Sequence, residues 1–303
     1  ALTYLINEDF QNGWNSYHYR WTALPEMKDG YIQTSKPMWN LNKRGRVLLW
    51  AEQGIGDEIM FGSIILDLHA SCSKLIVSID DRLLPIFERS LPNSIDFRSK
   101  DTAVPEEEYD SHLPMGDLPL FFRQNIKNFK TASKRWLTEN SENSNRLRQK
   151  LLEDGTETLV GISWHSSRER PGTMHKVIKL SKLAKALHGP KTKLINLQYG
   201  DVSQEIDSLK NTTGIEVISI PEIDNKNDIN GLVDLIMACD RIVSISNVTV
   251  HLAGALGKKT DMLLPFSADW RWGSQKNTTH WYDSLLLNRQ SDPYDWDTVL
   301  EQL

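Results

Sequence analysis

Short apolar runs without polar alternation recur along this chain, and all but the last are followed by a segment with helical periodicity. They lie at residues 46–51, 74–79, 159–164, 193–198, 216–219, 241–245 and 260–264. A strand without alternation is typical of a sheet covered on both faces, and strand–helix–strand connections produce parallel pairing. We therefore predict an α/β protein with doubly wound parallel sheets.

The strands and helices fall into two series, separated by a polar, basic stretch near residues 125–157. We place the domain boundary there, which gives residues 1–140 with a leading helix at 1–22, and residues 141–303. The second domain is predicted to end in an amphipathic helix at 292–303. The chain starts at Ala1 inside an apparent helix, so we expect it to be part of a longer protein.

Composition excludes several classes of protein. The 39% hydrophobic and 25% charged content is typical of a globular protein, and a net charge of −5 argues against a nucleic-acid partner. No apolar run is long enough for a transmembrane segment, and the first residues do not form a signal peptide. Cys72 and Cys239 have neither disulfide nor metal-ligand spacing. We expect a cytoplasmic protein.

Residues 244–257 are the strongest candidate for a binding site. Small polar side chains, among them Ser246 and Asn247, follow a buried strand, and a helix then starts with His251 in its first turn. Backbone N–H groups at a helix start suit a phosphate or diphosphate. A capped core helix with a buried histidine explains the same residues, and this segment alone leaves the two interpretations level.

The first strand is followed by a second candidate loop at residues 52–58. Gly54 and Gly56 allow the backbone to approach a ligand, and Asp57 stands at the start of the next helix. Asp57 is predicted either to cap that helix or to act as a general base toward a hydroxyl. The glycine pattern is incomplete for a dinucleotide site, which argues against an oxidoreductase.

Two further loops have mixed interpretations. Residues 163–168, with Lys176 downstream, combine hydroxyl and basic side chains and predict an anion pocket, although each residue singly fits a solvated loop. Residues 269–272 and 280–282 are rich in aromatic side chains, which serve equally for stacking on a ligand or for packing. No metal-binding motif occurs in the sequence, so we expect no metal.

Taken in order, these loops resemble the heptosyltransferase-like glycosyltransferase family 9. More narrowly, they resemble the glycosyltransferase module found with tetratricopeptide repeats in many bacterial proteins, so such repeats are expected upstream. Each matching segment is modest alone, but their order and spacing are specific. The matches are Phe61 and residues 10–14, 19–21, 48–57, 110–112, 118–119, 160–164, 197–198, 244–257, 269–272, 281–282 and 289–290.

The resemblance implies the GT-B fold: two Rossmann-like domains facing a central cleft, the N-terminal one on the acceptor side and the C-terminal one binding the nucleotide sugar. It implies an inverting hexosyl or heptosyl transferase that needs neither metal nor cofactor. The donor would be a nucleoside-diphosphate sugar, and the acceptor hydroxyl would belong to a saccharide, a lipid-linked molecule or a protein.

Site residues follow by position in the resemblance. Asp57 matches the catalytic base, His251 the histidine of the diphosphate segment, and Lys176 a phosphate-binding lysine. Ser246 and Asn247 stand where heptosyltransferases commonly carry Asp-Thr, which leaves the sugar open. The predicted donor-binding residues are Gly54, Gly56, Trp164, His165, Ser166, Arg168, Lys176, Gln198, Ser246, Asn247, Val248, Thr249 and His251.

Two other functions remain alternatives. The loss of the Asp at position 246 fits a GT-B module that binds its ligand without turnover, and an epimerase acting on the nucleotide sugar would use the same architecture. Release of nucleotide, and product analysis without acceptor, would separate these from a transferase.

Overall fold

A computed structural model of the chain describes residues 1–24, 30–130, 134–152, 155–166, 177–274 and 276–303. The chain forms two compact units. The first unit comprises Ala1–Leu137 and Asp269–Ser274, and the second comprises Thr138–Ala268 and Gln275–Leu303. The short segment Asp269–Ser274 is late in sequence yet packs with the first unit.

A four-stranded parallel sheet lies in the described part of the first unit. Its strands are β1 (Arg46–Trp50), β2 (Lys74–Ile79), β3 (Ile95–Ser99) and β4 (Ser111–Pro114), in the order β3-β2-β1-β4. The helices are α1 (Leu2–Ile6), α2 (Phe10–Tyr17), α3 (Arg20–Ala23), α4 (Ile55–Gly62), α5 (Ile65–His69), α6 (Leu84–Ser90), α7 (Leu118–Phe122) and α8 (Ile126–Lys130). The two central strands are almost wholly buried, as their apolar runs predict.

The second unit contains a six-stranded parallel sheet. Its strands are β5 (Thr158–Ser163), β6 (Thr192–Asn196), β7 (Val217–Ile218), β8 (Arg241–Ile245), β9 (Thr260–Leu264) and β10 (Leu285–Arg289), in the order β10-β9-β8-β5-β6-β7. The helices are α9 (Ser141–Leu152), α10 (Leu180–Leu187), α11 (Ser203–Thr213), α12 (Ile229–Ala238), α13 (Val248–Ala255) and α14 (Asp297–Leu300). The prediction of doubly wound parallel sheets is confirmed.

The two terminal helices were predicted too long. Residues 1–22 form three short helices, because Glu8 has a φ of 63° and Asp9 starts a new helix by accepting a bond from the Asn12 amide. At the other end, Tyr294 has a φ of 68°, so helix α14 forms only after Trp296. Among the described residues, no helix is both long and apolar enough to cross a membrane.

Candidate active site

Strand order identifies where each sheet can hold a ligand. In the second sheet β5 lies between β6, which follows it in sequence, and β8, which comes later. The connections after β5 and β8 therefore leave in opposite directions and open a crevice at the carboxyl ends of these strands, where doubly wound sheets bind ligands. The loop after β5 and the start of α13 meet at this point.

Gln198 organises the loop that follows β5. Its side-chain oxygen accepts hydrogen bonds from the Ser163 hydroxyl (2.9 Å), the Trp164 amide (2.9 Å) and the His165 amide (3.0 Å). Gln198 is 1% exposed, so this oxygen holds the loop in place rather than facing a ligand. Sequence reasoning identified the residue but not this supporting role.

Asn247 joins the two sides of the crevice. Its side-chain nitrogen donates to the Ser163 hydroxyl at 2.7 Å, while its oxygen accepts from the Thr249 amide at 3.0 Å and so caps α13. The Thr249 amide was predicted to bind diphosphate, but here it is already bonded to the cap. Asn247 therefore fixes the helix start relative to β5.

His251 lies in the first turn of α13 and is 6% exposed. Its Nδ1 is 3.0 Å from the Tyr282 hydroxyl. A Cβ on Gly254 would lie 2.5 Å from the Tyr282 ring, so the glycine is what allows this helix to pack so closely. Tyr282 is a partner that the sequence did not indicate.

Burial divides the predicted donor-binding residues into two groups. The Trp164 side chain is 1% exposed and donates to Glu205 at 2.9 Å, so it belongs to the core rather than to a ligand surface. Trp164, Gln198, Asn247, Thr249 and His251 are buried, whereas His165, Ser166, Ser246 and Val248 are half-buried at the crevice. Arg168 and Lys176 lie outside the described residues.

The first sheet has the same topological feature between β1 and β4. Glu52 follows β1 and accepts from the Gly116 amide after β4 at 2.7 Å. Arg20 connects the two loops, since its guanidinium donates to Glu52 at 2.8 Å and to Asp117 at 2.6 Å. Arg20, Glu52 and Asp117 are all buried, and none of the three was identified from the sequence as a site residue.

Asp57 lies in the first turn of α4, the helix that follows β1 at this switch point. It does not cap α4, because Gly54 is the N-cap residue and no side chain caps that helix. Its Oδ1 instead accepts from the Arg271 Nε at 2.9 Å and from the second terminal nitrogen of the same guanidinium. The capping interpretation of Asp57 is therefore wrong. Neither Gly54 nor Gly56 has a positive φ, so no tight turn explains these glycines.

The aromatic segments are used for packing. Trp270 is 8% exposed, and its ring lies 5.5 Å from Trp14 and 5.9 Å from Tyr17. In the second unit, Trp281 is 5% exposed and Tyr282 is 1% exposed. Rings buried to this extent offer no open face to a ligand, which decides between the two interpretations of these segments. No group of three or more His, Cys, Asp or Glu suited to a metal occurs among the described residues.

His18 gives the cluster at the first switch point a measurable pH dependence. Its Nδ1 lies 2.7 Å from Asp117 Oδ2, and this hydrogen bond raises the pKa of His18. The carboxylates of Glu52 and Asp117 and the guanidinium of Arg20 together carry one net negative charge, which a protonated His18 balances. Because the folded-state pKa is above 6.5, the stabilisation is complete below pH 6.5 and is lost as pH rises through the raised pKa.

In the parent protein, we expect the free energy of unfolding to decrease as the pH rises through the pKa of His18. In His18→Gln, this pH-dependent decrease should be absent. Urea unfolding at a series of pH values measures the difference. Burial lowers the pKa of His112. His112 therefore changes its charge below pH 6.5, outside the pH range assigned to His18, and serves as an internal control. Equal slopes in the two proteins would contradict the role of His18.

No protein-family model matches the chain. Protein FlbA of Caulobacter vibrioides is 27% identical over 292 residues, which cover 90% of this chain and 48% of that protein. The chain thus spans about half the length of this relative.

Solved structures with the same fold include a glycosyltransferase family 9 protein and a heptosyltransferase. The glycosyl transferase family 9 protein of Veillonella parvula is 10% identical, with a TM-score of 0.57 over 85% of this chain and 89% of its own. The E. coli ADP-heptose lipopolysaccharide heptosyltransferase II is 13% identical, with a TM-score of 0.56 over 85% and 99%. The fold of this chain is therefore the GT-B type, and the predicted association with tetratricopeptide repeats stays a prediction.

Proposed function

We propose that this chain is an inverting, metal-independent glycosyltransferase that moves a sugar from a nucleoside-diphosphate sugar to an acceptor hydroxyl. The observation that carries the proposal is the switch point of the second sheet, where the start of α13 and the loop after β5 are held together by Asn247 and Ser163. The fold supports the proposal, because this chain shares it with a glycosyltransferase family 9 protein and with a heptosyltransferase.

The donor diphosphate is proposed to bind at the start of α13. Helix starts carry partial positive charge, which favours the negative charge that develops on a leaving diphosphate. His165, Ser166 and Ser246 are half-buried around this helix start, which allows their polar groups to reach a ligand. Arg168 and Lys176 are proposed as the nearby cations on the sequence alone.

Asp57 is proposed as the base. The acceptor oxygen attacks the anomeric carbon, the bond from that carbon to the diphosphate oxygen breaks, and the acceptor proton passes to the Asp57 carboxylate. One displacement with a departing diphosphate inverts the anomeric centre, and the electron pair of the broken bond stays on the phosphate.

Acceptor recognition is proposed for the first unit, and donor recognition for the second. The acceptor is a saccharide, a lipid-linked molecule or a protein. A cytoplasmic location and upstream tetratricopeptide repeats belong to the same proposal, and the transferred sugar is a hexose or a heptose. Since the chain spans 48% of FlbA, the activity of a complete protein of that length is likewise proposed, not inferred from the match.

A panel of nucleotides tests the donor site. Purified protein is heated with ADP, GDP, UDP, CDP or dTDP, and we expect one base to raise the melting temperature by about 5 °C when present at about 100 times its Kd. The matching nucleotide sugar should then release nucleoside diphosphate in the presence of acceptor. Binding without release would indicate the module that lacks turnover, and release without acceptor, with an altered sugar, the epimerase.

Two charge variants locate the site. Val248→Glu puts a carboxylate at the start of α13 and should abolish the nucleotide-dependent rise in melting temperature, because it repels phosphate. Leu286→Glu adds the same charge to the same unit at a residue that is 44% exposed on edge strand β10, and should retain the rise. If the nucleotide-dependent rise in melting temperature were unchanged in Val248→Glu, the diphosphate would not bind at the start of α13.

A further inference from the structure

We propose that Arg271 is a positioning residue for the base: it holds one oxygen of Asp57 so that the other oxygen faces the acceptor hydroxyl. The proposal rests on the proposed function, because it gives Asp57 the role of base. It adds Arg271, which the sequence did not indicate as a site residue.

The two oxygens of Asp57 have different surroundings. Both donors of the Arg271 edge, Nε and one terminal nitrogen, point to Oδ1. Within the described part of the chain, Oδ2 of Asp57 makes no hydrogen bond. The Asp57 side chain is 14% exposed, so it is held in place yet remains open to a small group. A carboxylate fixed through one oxygen presents the other in a defined direction.

Arg271 is itself fixed from two sides. Its other terminal nitrogen donates to Asp269 Oδ1 at 2.7 Å, and its guanidinium lies 4.5 Å from the centre of the Trp270 ring. Asp269 also caps the turn by accepting from the Arg271 amide at 3.1 Å. The charge is permanent, since the two carboxylates raise the pKa of Arg271 in spite of its burial. Position and charge are therefore constant.

The neighbouring phenol does not compete for the proton. Burial raises the pKa of Tyr17 to about 12, against the opposing effect of Arg271. The Tyr17 hydroxyl accepts from the Gln53 amide at 2.6 Å and stays neutral at physiological pH. In the proposed step, the proton passes from the acceptor oxygen to Oδ2 of Asp57.

Arg271→Lys tests the geometry without removing the charge, because an ammonium cannot reproduce the planar pair of donors. We expect kcat to fall on the order of 10²-fold while the donor KM and the nucleotide-dependent melting shift stay unchanged, as misplacement of a catalytic group predicts. Arg271→Ala should regain part of its kcat when guanidinium is added. Arg98→Lys, which alters a partly exposed ion-paired arginine of the same unit, is the matched control and should keep the parent kcat.

The outcomes separate the two proposals. Suppose that Asp57→Asn loses turnover while the kcat of Arg271→Lys stays within about twofold of the parent value. Arg271 then has no positioning role, and the assignment of Asp57 as the base is retained. If Asp57→Asn also keeps its turnover, the base assignment fails as well. A folded Arg271→Ala whose lost kcat does not respond to guanidinium would also overturn the positioning role, since a supporting cation should be replaceable.

Discussion

Asp57→Asn is expected to lower kcat by about 10²- to 10⁴-fold, the range that a general base contributes. The amide keeps the size of the side chain and can still accept a hydrogen bond from Arg271, but it cannot take a proton. Asp269 continues to balance the guanidinium, so the variant should remain folded. Initial rates of nucleotide release at saturating donor and acceptor measure the loss.

Binding must be separated from chemistry in that experiment. The nucleotide-dependent rise in melting temperature should be the same in Asp57→Asn and in the parent protein, because the proposed donor site belongs to the second unit. Asp101→Asn neutralises an exposed acid of the first unit and should leave both quantities unchanged. Turnover at the parent rate in Asp57→Asn would show that the base lies elsewhere.

How much of the fold the sequence predicts depends on where each strand lies in its sheet. Central strands such as β1 and β8 are buried at all but their first residue, so they appear as continuous apolar runs. Three of the four edge strands escaped prediction: β3, β4 and β10. In β3 the outward residues Asp96 and Arg98 alternate with apolar ones and pair with each other at 2.7 Å, which breaks the apolar run.

The candidate site was predictable to the extent that it depends on helix starts and loops. The start of α13 follows from the small polar residues after a buried strand, and the Asp57 loop from its position after β1. The hydrogen-bond partners were not predictable, because they come from distant segments: Arg271 is 214 positions from Asp57, and Asn247 is 84 positions from Ser163. Only the folded topology brings them together.

Strand order is what links these distant contacts. In each sheet a hydrogen bond joins separate loops where the strand order reverses, between β5 and β8 and between β1 and β4. Asn247 to Ser163 spans the first of these places, and Gly116 to Glu52 the second. A crevice at a switch point exposes polar backbone unless side chains satisfy it, and the Glu52 carboxylate does so for the Gly116 amide.

Gln198→Met is expected to lower the free energy of unfolding by about 3 kcal/mol and to abolish nucleotide binding. Methionine fills a similar volume but offers no comparable acceptor, so the buried amides of Trp164 and His165 lose their partner, at about 1 to 3 kcal/mol for each. The loop after β5 would then no longer be fixed beside α13. Urea unfolding measures the first effect, and the nucleotide-dependent melting shift measures the second.

Two further variants show whether the effects of Gln198→Met come from the loss of the accepting oxygen or from the change to methionine in general. Gln198→Glu retains oxygens for the three donors, so it should keep more stability and more nucleotide binding than Gln198→Met. Gln204→Met makes the same chemical change on an exposed residue of α11 and should alter neither quantity. If Gln198→Met proved as stable as the parent protein, the loop after β5 would be held by contacts other than this oxygen. The donor site would then lack the rigid base on which binding at the helix start depends.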